Sequence, residues 1–166
     1  MVRFFLGFLV LLALLFGTEL TPWAQRWFVV PWTDTLAALS AGIVKVFDPG
    51  VVADGKLLQS GSNGFAVSIE AGCNGVEATI VLVAAILAFP APWKRKLVGL
   101  AIGIAAVQGL NILRVISLFY LGQWSLEAFD FAHQYLWQAL IMLDVLIVWL
   151  LWVRTLPRTV PALAAA

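Results

Sequence analysis

The chain has 166 residues, enough for one domain and too few for two. Hydrophobic residues make up 63% of it and charged residues 11%, far from the roughly even apolar share and one-quarter charge of a soluble domain. That surplus excludes a soluble fold, a net charge of +1 argues against nucleic acid, and one cysteine with one histidine excludes an internal disulfide and a closed structural zinc site.

The first apolar run, Phe4 to Phe16, reaches a span only if it extends to about Leu20. It reads as an uncleaved anchor over about residues 3–20, with a signal peptide as the alternative. Residues 21–72 then form an outer segment with structure of its own. Pro31-Trp32-Thr33-Asp34 reads as a helix start with Thr33 as N-cap. Leu36, Leu39, Ile43 and Val46 or Phe47 recur on one helical face, which predicts an amphipathic helix on the membrane surface, ended by Asp48-Pro49-Gly50. Asp54-Gly55 between Val51-Val52 and Lys56-Leu57-Leu58 is a hairpin signal. Ser60 to Gly64 is a second turn before the alternating Phe65 to Ile69, so a small β-meander leads into Cys73.

Three further spans follow, at about 74–92, 97–121 and 135–153. The fold class is therefore an all-α membrane protein of about four transmembrane helices, a single domain over 1–166, with a small outer segment. Arg3, the Lys94-Arg95-Lys96 turn, Arg154 and Arg158 fall on one side of such a chain, and only Arg26, Lys45 and Lys56 on the other. The positive-inside rule places both termini inside. Trp93, Trp149 and Trp152 fit the inner interface, and Trp124 and Trp137 the outer one.

Polar residues within these spans need a reason. Arg114 lies ~10 Å below the outer end of the third span at 1.5 Å rise per residue. Asn111, one turn earlier, is placed to hydrogen-bond the guanidinium or a ligand, while Gln108 is rotated away. Glu77, one turn below Cys73, and Asp144 are the two carboxylates available to pair with Arg114. Asp144 sits at nearly the same predicted depth and shares a face with His133, eleven residues earlier.

Cys73 stands in Glu70-Ala71-Gly72-Cys73-Asn74-Gly75, just before the second span. Read alone it is a small packing residue; the adjoining helix start predicts a lowered thiol pKa. His133 read alone is an interfacial polar residue, and Arg114 a structural ion pair. The alternating directions of the spans bring all three to one outer layer. Together they suit acyl transfer, with Cys73 as nucleophile, His133 as proton carrier and Arg114 on the oxyanion.

These residues resemble the exosortase/archaeosortase family of membrane cysteine transpeptidases, which pairs a Cys in a small-residue turn with Asn-x-x-Arg on the next span and a later His. Here these are Glu70 to Gly75, Asn111-Ile112-Leu113-Arg114 and His133. The spacing, with Leu87-Ala88-Phe89-Pro90-Ala91 and Trp93, is most similar to the short exosortase H subgroup. Many relatives have Ser or Thr where this chain has Asn74, and larger members have about twice as many spans. The resemblance implies no cofactor and a bacterial cytoplasmic (inner) membrane location with the site facing outward. It implies substrates that are secreted proteins ending in a recognition motif, a transmembrane helix and a basic cluster; for the H subgroup the motif resembles Ile-Pro-Thr-Leu followed by Trp-Gly. The resemblance leaves the acceptor open, with a lipid- or polysaccharide-linked molecule among the choices. Two other classes fit the residues: a non-catalytic scaffold or lipid-binding subunit, and an intramembrane-type hydrolase that releases product without transfer.

Overall fold

The computed structural model describes residues 2–156. Arg158, counted above with the inner basic residues, lies outside the described residues. Helix α1, Val2–Glu19, realises the first predicted span, and Glu19 is its only buried residue.

Helix α2 runs over Pro22–Val44, nine residues upstream of the predicted start. Thr21 is the N-cap, its Oγ accepting from the Ala24 N–H at 3.2 Å. The helix continues through Pro31 because a wide turn precedes it: the Val30 N–H reaches back five residues to the Gln25 carbonyl. That widening accommodates a residue with no N–H to give and a ring that crowds the carbonyl four residues back. Thr33 is thus not an N-cap; it lies inside the helix and donates its hydroxyl to the Val29 carbonyl at 2.8 Å. The buried face also differs from the expected one. Leu36, Ala37, Ser40, Ala41 and Val44 are buried, whereas Leu39, Ile43, Val46 and Phe47 are exposed. The small residues Ala37 and Ala41 let other elements approach closely, so they take the inner face.

The predicted meander forms as the antiparallel strands β1 (Val51–Asp54), β2 (Leu57–Ser60) and β3 (Ala66–Ser68), in that order. Val51 and Leu58 join Leu36, Ala37, Ala41, Val44, Ile69, Val115 and Phe119 in one core.

Helix α3 covers Val76–Ala88 only, so the predicted 74–92 span is not one continuous helix. Gly75, at φ +73°, delays its start, and Phe89, extended at ψ 137° before Pro90, ends it. Its 13 residues cover ~20 Å. Helix α4, Trp93–Trp124, has 32 residues and is ~48 Å long, exceeding the predicted span at both ends. Helix α5, Leu126–Arg154, starts nine residues before its predicted span, because Ser125 caps it by accepting from the Ala128 N–H at 3.3 Å. Helices α1, α2, α4 and α5 are the four that are long and apolar enough to cross a membrane. The chain is a mostly helical, multi-pass membrane protein.

Contacts along α4 order the layers. Gly99 lies under Trp152, whose indole donates to the Arg95 carbonyl, and Gly103 faces Leu82 and Val148. Gln108 meets Gly75 and Thr79, and Arg114 meets Gly72 and Cys73. Beyond them, Val115 and Phe119 join the core shared with α2 and the sheet, and Gly122 faces Phe65. The lower two-thirds of α4 therefore hold α3 and α5, and its last third carries α2 and the sheet. Cys73 sits at the junction.

Candidate active site

The loop from Glu70 to Gly75 is built to hold its shape. The Cys73 N–H donates to the Glu70 carbonyl at 2.9 Å, and Gly72 and Gly75 have φ of +82° and +73°. A Cβ on Gly75 would stand 2.9 Å from Gln108 Oε1 and 3.1 Å from Asn111 Cγ, so conformation and space both require glycine there. Asn74 is buried and ties the loop to its neighbours. Its Oδ1 accepts from the Val76 N–H at 3.0 Å, and its Nδ2 donates to Thr33 Oγ1 at 3.1 Å. Its carbonyl accepts from the Trp32 indole at 3.2 Å.

On this loop the three predicted residues converge. Cys73 Sγ lies 3.1 Å from His133 Nε2. Arg114 Nη2 donates to the sulfur at 3.5 Å, and Nη1 donates to the Gly72 carbonyl at 3.2 Å. His133 lies in a wide turn, Ala132–Leu136, with Phe129 against its ring at 5.5 Å between centroids. A pocket of about 30 Å³ at the thiol is walled by Val67, Ser68, Ile69, Leu118 and Phe129. A second cavity, of about 280 Å³, reaches Arg114 and Gly72 from the side of Phe16, Glu77, Gln138 and Met142.

The thiol does not follow the expected lowering. Burial pushes the Cys73 pKa up, and the Arg114 charge pulls against it without prevailing. Helix α3 begins three residues later, at Val76, so its N–H groups are not at the sulfur. The Cys73 sulfur thus faces the imidazole in surroundings that disfavour the thiolate.

The expected pairing of Arg114 with a carboxylate is not present. Among the described residues the one ion pair is Lys56 with Glu70, at 2.6 Å on the surface. Glu77 instead accepts from the Gly72 N–H at 2.6 Å, closing the Cys73 loop onto the first turn of α3. Asp144 falls well away. Its neighbour Val145 shares a core with Val107, and Val148 faces Gly103, which puts Asp144 ~10 Å or more from the level of Arg114 along α4. The wide turn at Ala132–Leu136 inserts one residue into α5 and rotates Asp144 off the face of His133. Asn111 is fully buried, but its amide has no partner among the described residues and does not bond Arg114.

Gln108 bonds none of Cys73, Arg114 and His133 but holds the end of the Cys73 loop. Its Nε2 donates to the Gly75 carbonyl at 3.1 Å and to Thr79 Oγ1 at 3.0 Å. Trp32 and Thr33 stand in the Pro31-Trp32-Thr33-Asp34 motif, which does not reveal them as anchors of a loop 42 and 41 residues away. Among the described residues no group of three His, Cys, Asp or Glu side chains is placed to hold a metal ion.

No similarity to a curated protein or to a solved structure is found. The family model for transmembrane exosortases matches residues 1–153. A match over nearly the whole chain, meeting a site made of the motif residues themselves, leaves one conclusion: the chain belongs to the transmembrane exosortase family.

Proposed function

We propose that this chain is a cysteine transpeptidase that removes the C-terminal sorting tail of secreted proteins and passes them to an acceptor through a thioester on Cys73. Membership of the family supports a membrane transpeptidase-type role. The observation that carries the finer reading is the sulfur held 3.1 Å from an imidazole nitrogen and 3.5 Å from a guanidinium nitrogen.

The chemistry follows from those three groups. With His133 protonated on Nδ1, Nε2 takes the thiol proton as sulfur attacks the scissile carbonyl carbon. The carbonyl oxygen becomes an oxyanion beside Arg114, whose charge stabilises it most where water is excluded. Collapse breaks the C–N bond, and His133 returns its proton to the leaving amine. An acceptor hydroxyl or amine then attacks the thioester, His133 takes its proton, and the Cys73 thiol is restored. Attack by water in that step would give hydrolysis instead.

The bilayer supplies delivery. A substrate held by its own hydrophobic tail diffuses in two dimensions and presents the junction before that tail at a fixed depth. The basic residue Lys96 lies eighteen residues before Arg114 on α4, or ~27 Å of helix, close to the thickness of a hydrocarbon core. That separation supports a site at the outer, periplasmic edge of a bacterial inner membrane. The test is co-expression with a tailed substrate. Mass spectrometry of the new C-terminus distinguishes transfer from hydrolysis, and unchanged trimming by Cys73→Ala would refute the proposal.

A further inference from the structure

The strand beside the thiol has an unpaired edge. In the register that sets Leu58 opposite Val67, the Ser60 N–H donates to the Phe65 carbonyl at 2.8 Å and the Ile69 N–H to the Lys56 carbonyl at 3.0 Å. Phe65, Val67 and Ile69 therefore aim their main-chain groups at β2. The intervening Ala66 and Ser68 aim theirs the other way. β3 is the last strand of the sheet, both residues are exposed, and among the described residues nothing hydrogen-bonds their N–H and C=O groups. A free edge of this kind is usually blunted or covered, because it is a template for another strand. This one is left open where Val67, Ser68 and Ile69 wall the pocket of Cys73, Arg114 and His133.

We infer that the edge of β3 is the docking strand for the substrate: the extended segment next to the scissile bond pairs with Ala66 and Ser68 as a fourth strand. This rests on the peptide-transfer reading above. Strand addition suits the site for three reasons. It fixes the substrate backbone by main-chain hydrogen bonds, up to two at each of the two residues, and leaves side chains free to set specificity. It holds the chain extended, so that successive carbonyls face alternate directions and one register presents a carbonyl to the sulfur. It also satisfies polar groups that otherwise rely on water. Two residues of edge are too short for a stable sheet between two copies, but sufficient to position a peptide already held by its membrane tail.

Proline substitution tests the edge without cutting the sheet, since the N–H groups of Ala66 and Ser68 point away from β2. Ala66→Pro and Ser68→Pro should each lower processing of a co-expressed tailed substrate about three- to tenfold, and Ala66→Pro, which does not line the thiol pocket, should leave the alkylation rate of Cys73 by a small reagent unchanged. The second measurement uses the parent enzyme in detergent and synthetic peptides spanning the recognition motif and the start of the tail, N-methylated one residue at a time. Pairing with β3 predicts losses that alternate with a period of two along the peptide. Uniform or absent sensitivity to N-methylation, or proline variants that process substrate at the parental rate, would overturn the inference. So would an oligomer of the purified chain that the proline variants dissociate. If a proline variant alters Cys73 alkylation, the N-methyl series decides alone. Cleavage of the peptide by Cys73→Ala would instead defeat the transfer reading, and the period-two pattern would still report on the edge.

Discussion

Arg114→Met separates a catalytic arginine from a structural one. Arg114 is 2% exposed and has no carboxylate partner among the described residues. Its side chain makes two hydrogen bonds, to the Gly72 carbonyl and to Cys73 Sγ, and its Nε has no partner. Losing two bonds from a charged donor costs about 3–6 kcal/mol on the usual scale. The Gly72 residue is exposed, so its carbonyl recovers water. Removing a buried charge also returns a desolvation penalty of several kcal/mol. The terms offset, and methionine conserves much of the volume, so stability should change by no more than about 1 kcal/mol. Had Arg114 been half of a buried ion pair, the same substitution would cost about 3–5 kcal/mol by stranding a carboxylate. Activity should move the other way, falling about 10²–10³-fold with the loss of oxyanion stabilisation. The assays are denaturant unfolding of the purified chain in detergent micelles and processing of a tailed substrate. A loss of 3 kcal/mol or more, with activity falling only in proportion to unfolding, would refute the argument.

Burial holds the Cys73 thiol above its ordinary pKa while the Arg114 charge pulls it down. The alkylation rate of Cys73 should therefore rise with pH on the alkaline side of a free thiol, and Arg114→Met should shift that profile further up. Gly75→Ala forces a Cβ to 2.9 Å from Gln108 at φ +73°. Conformational strain together with displaced Gln108 bonds should destabilise the chain by about 2–4 kcal/mol, read by the same unfolding assay. Asn74→Ala removes both side-chain bonds to Val76 and Thr33 and should cost about 1–3 kcal/mol. Asn74→Ser keeps an acceptor for the Val76 N–H and should recover about half of that loss.

The meeting of Cys73, Arg114 and His133 was legible mainly through residue rarity. One cysteine and one histidine leave no choice of partner, and Arg114 is the one charged residue within the apolar run from Leu97 to Leu121. The meander was legible from Asp54-Gly55 and the alternation of Phe65 to Ile69, and its strands formed close to the predicted places. What escaped prediction traces to two wide turns, one loop and one Phe-Pro break. The turn at Gln25–Val29 lets α2 run through Pro31, which otherwise reads as a helix start. The turn at Ala132–Leu136 changes which face of α5 holds Asp144. Neither has a hydrophobic period, since an inserted residue leaves composition unchanged. Glu77 was identified by proximity to Cys73, but a backbone N–H at Gly72 competes for it and no charge pattern reveals that. The helix within the predicted 74–92 segment is shorter for a related reason: apolar composition continues past Ala88, while Phe89-Pro90 breaks the helix.

The most direct test of the account is to trap the acyl-enzyme. A tailed substrate with the parent chain, quenched in acid and examined by intact-mass spectrometry, should yield an adduct on Cys73 that hydroxylamine releases. His133→Gln should form it slowly and Cys73→Ala should not form it. Tail removal at the parental rate by Cys73→Ala, or an adduct on any residue other than Cys73, would contradict the thioester mechanism.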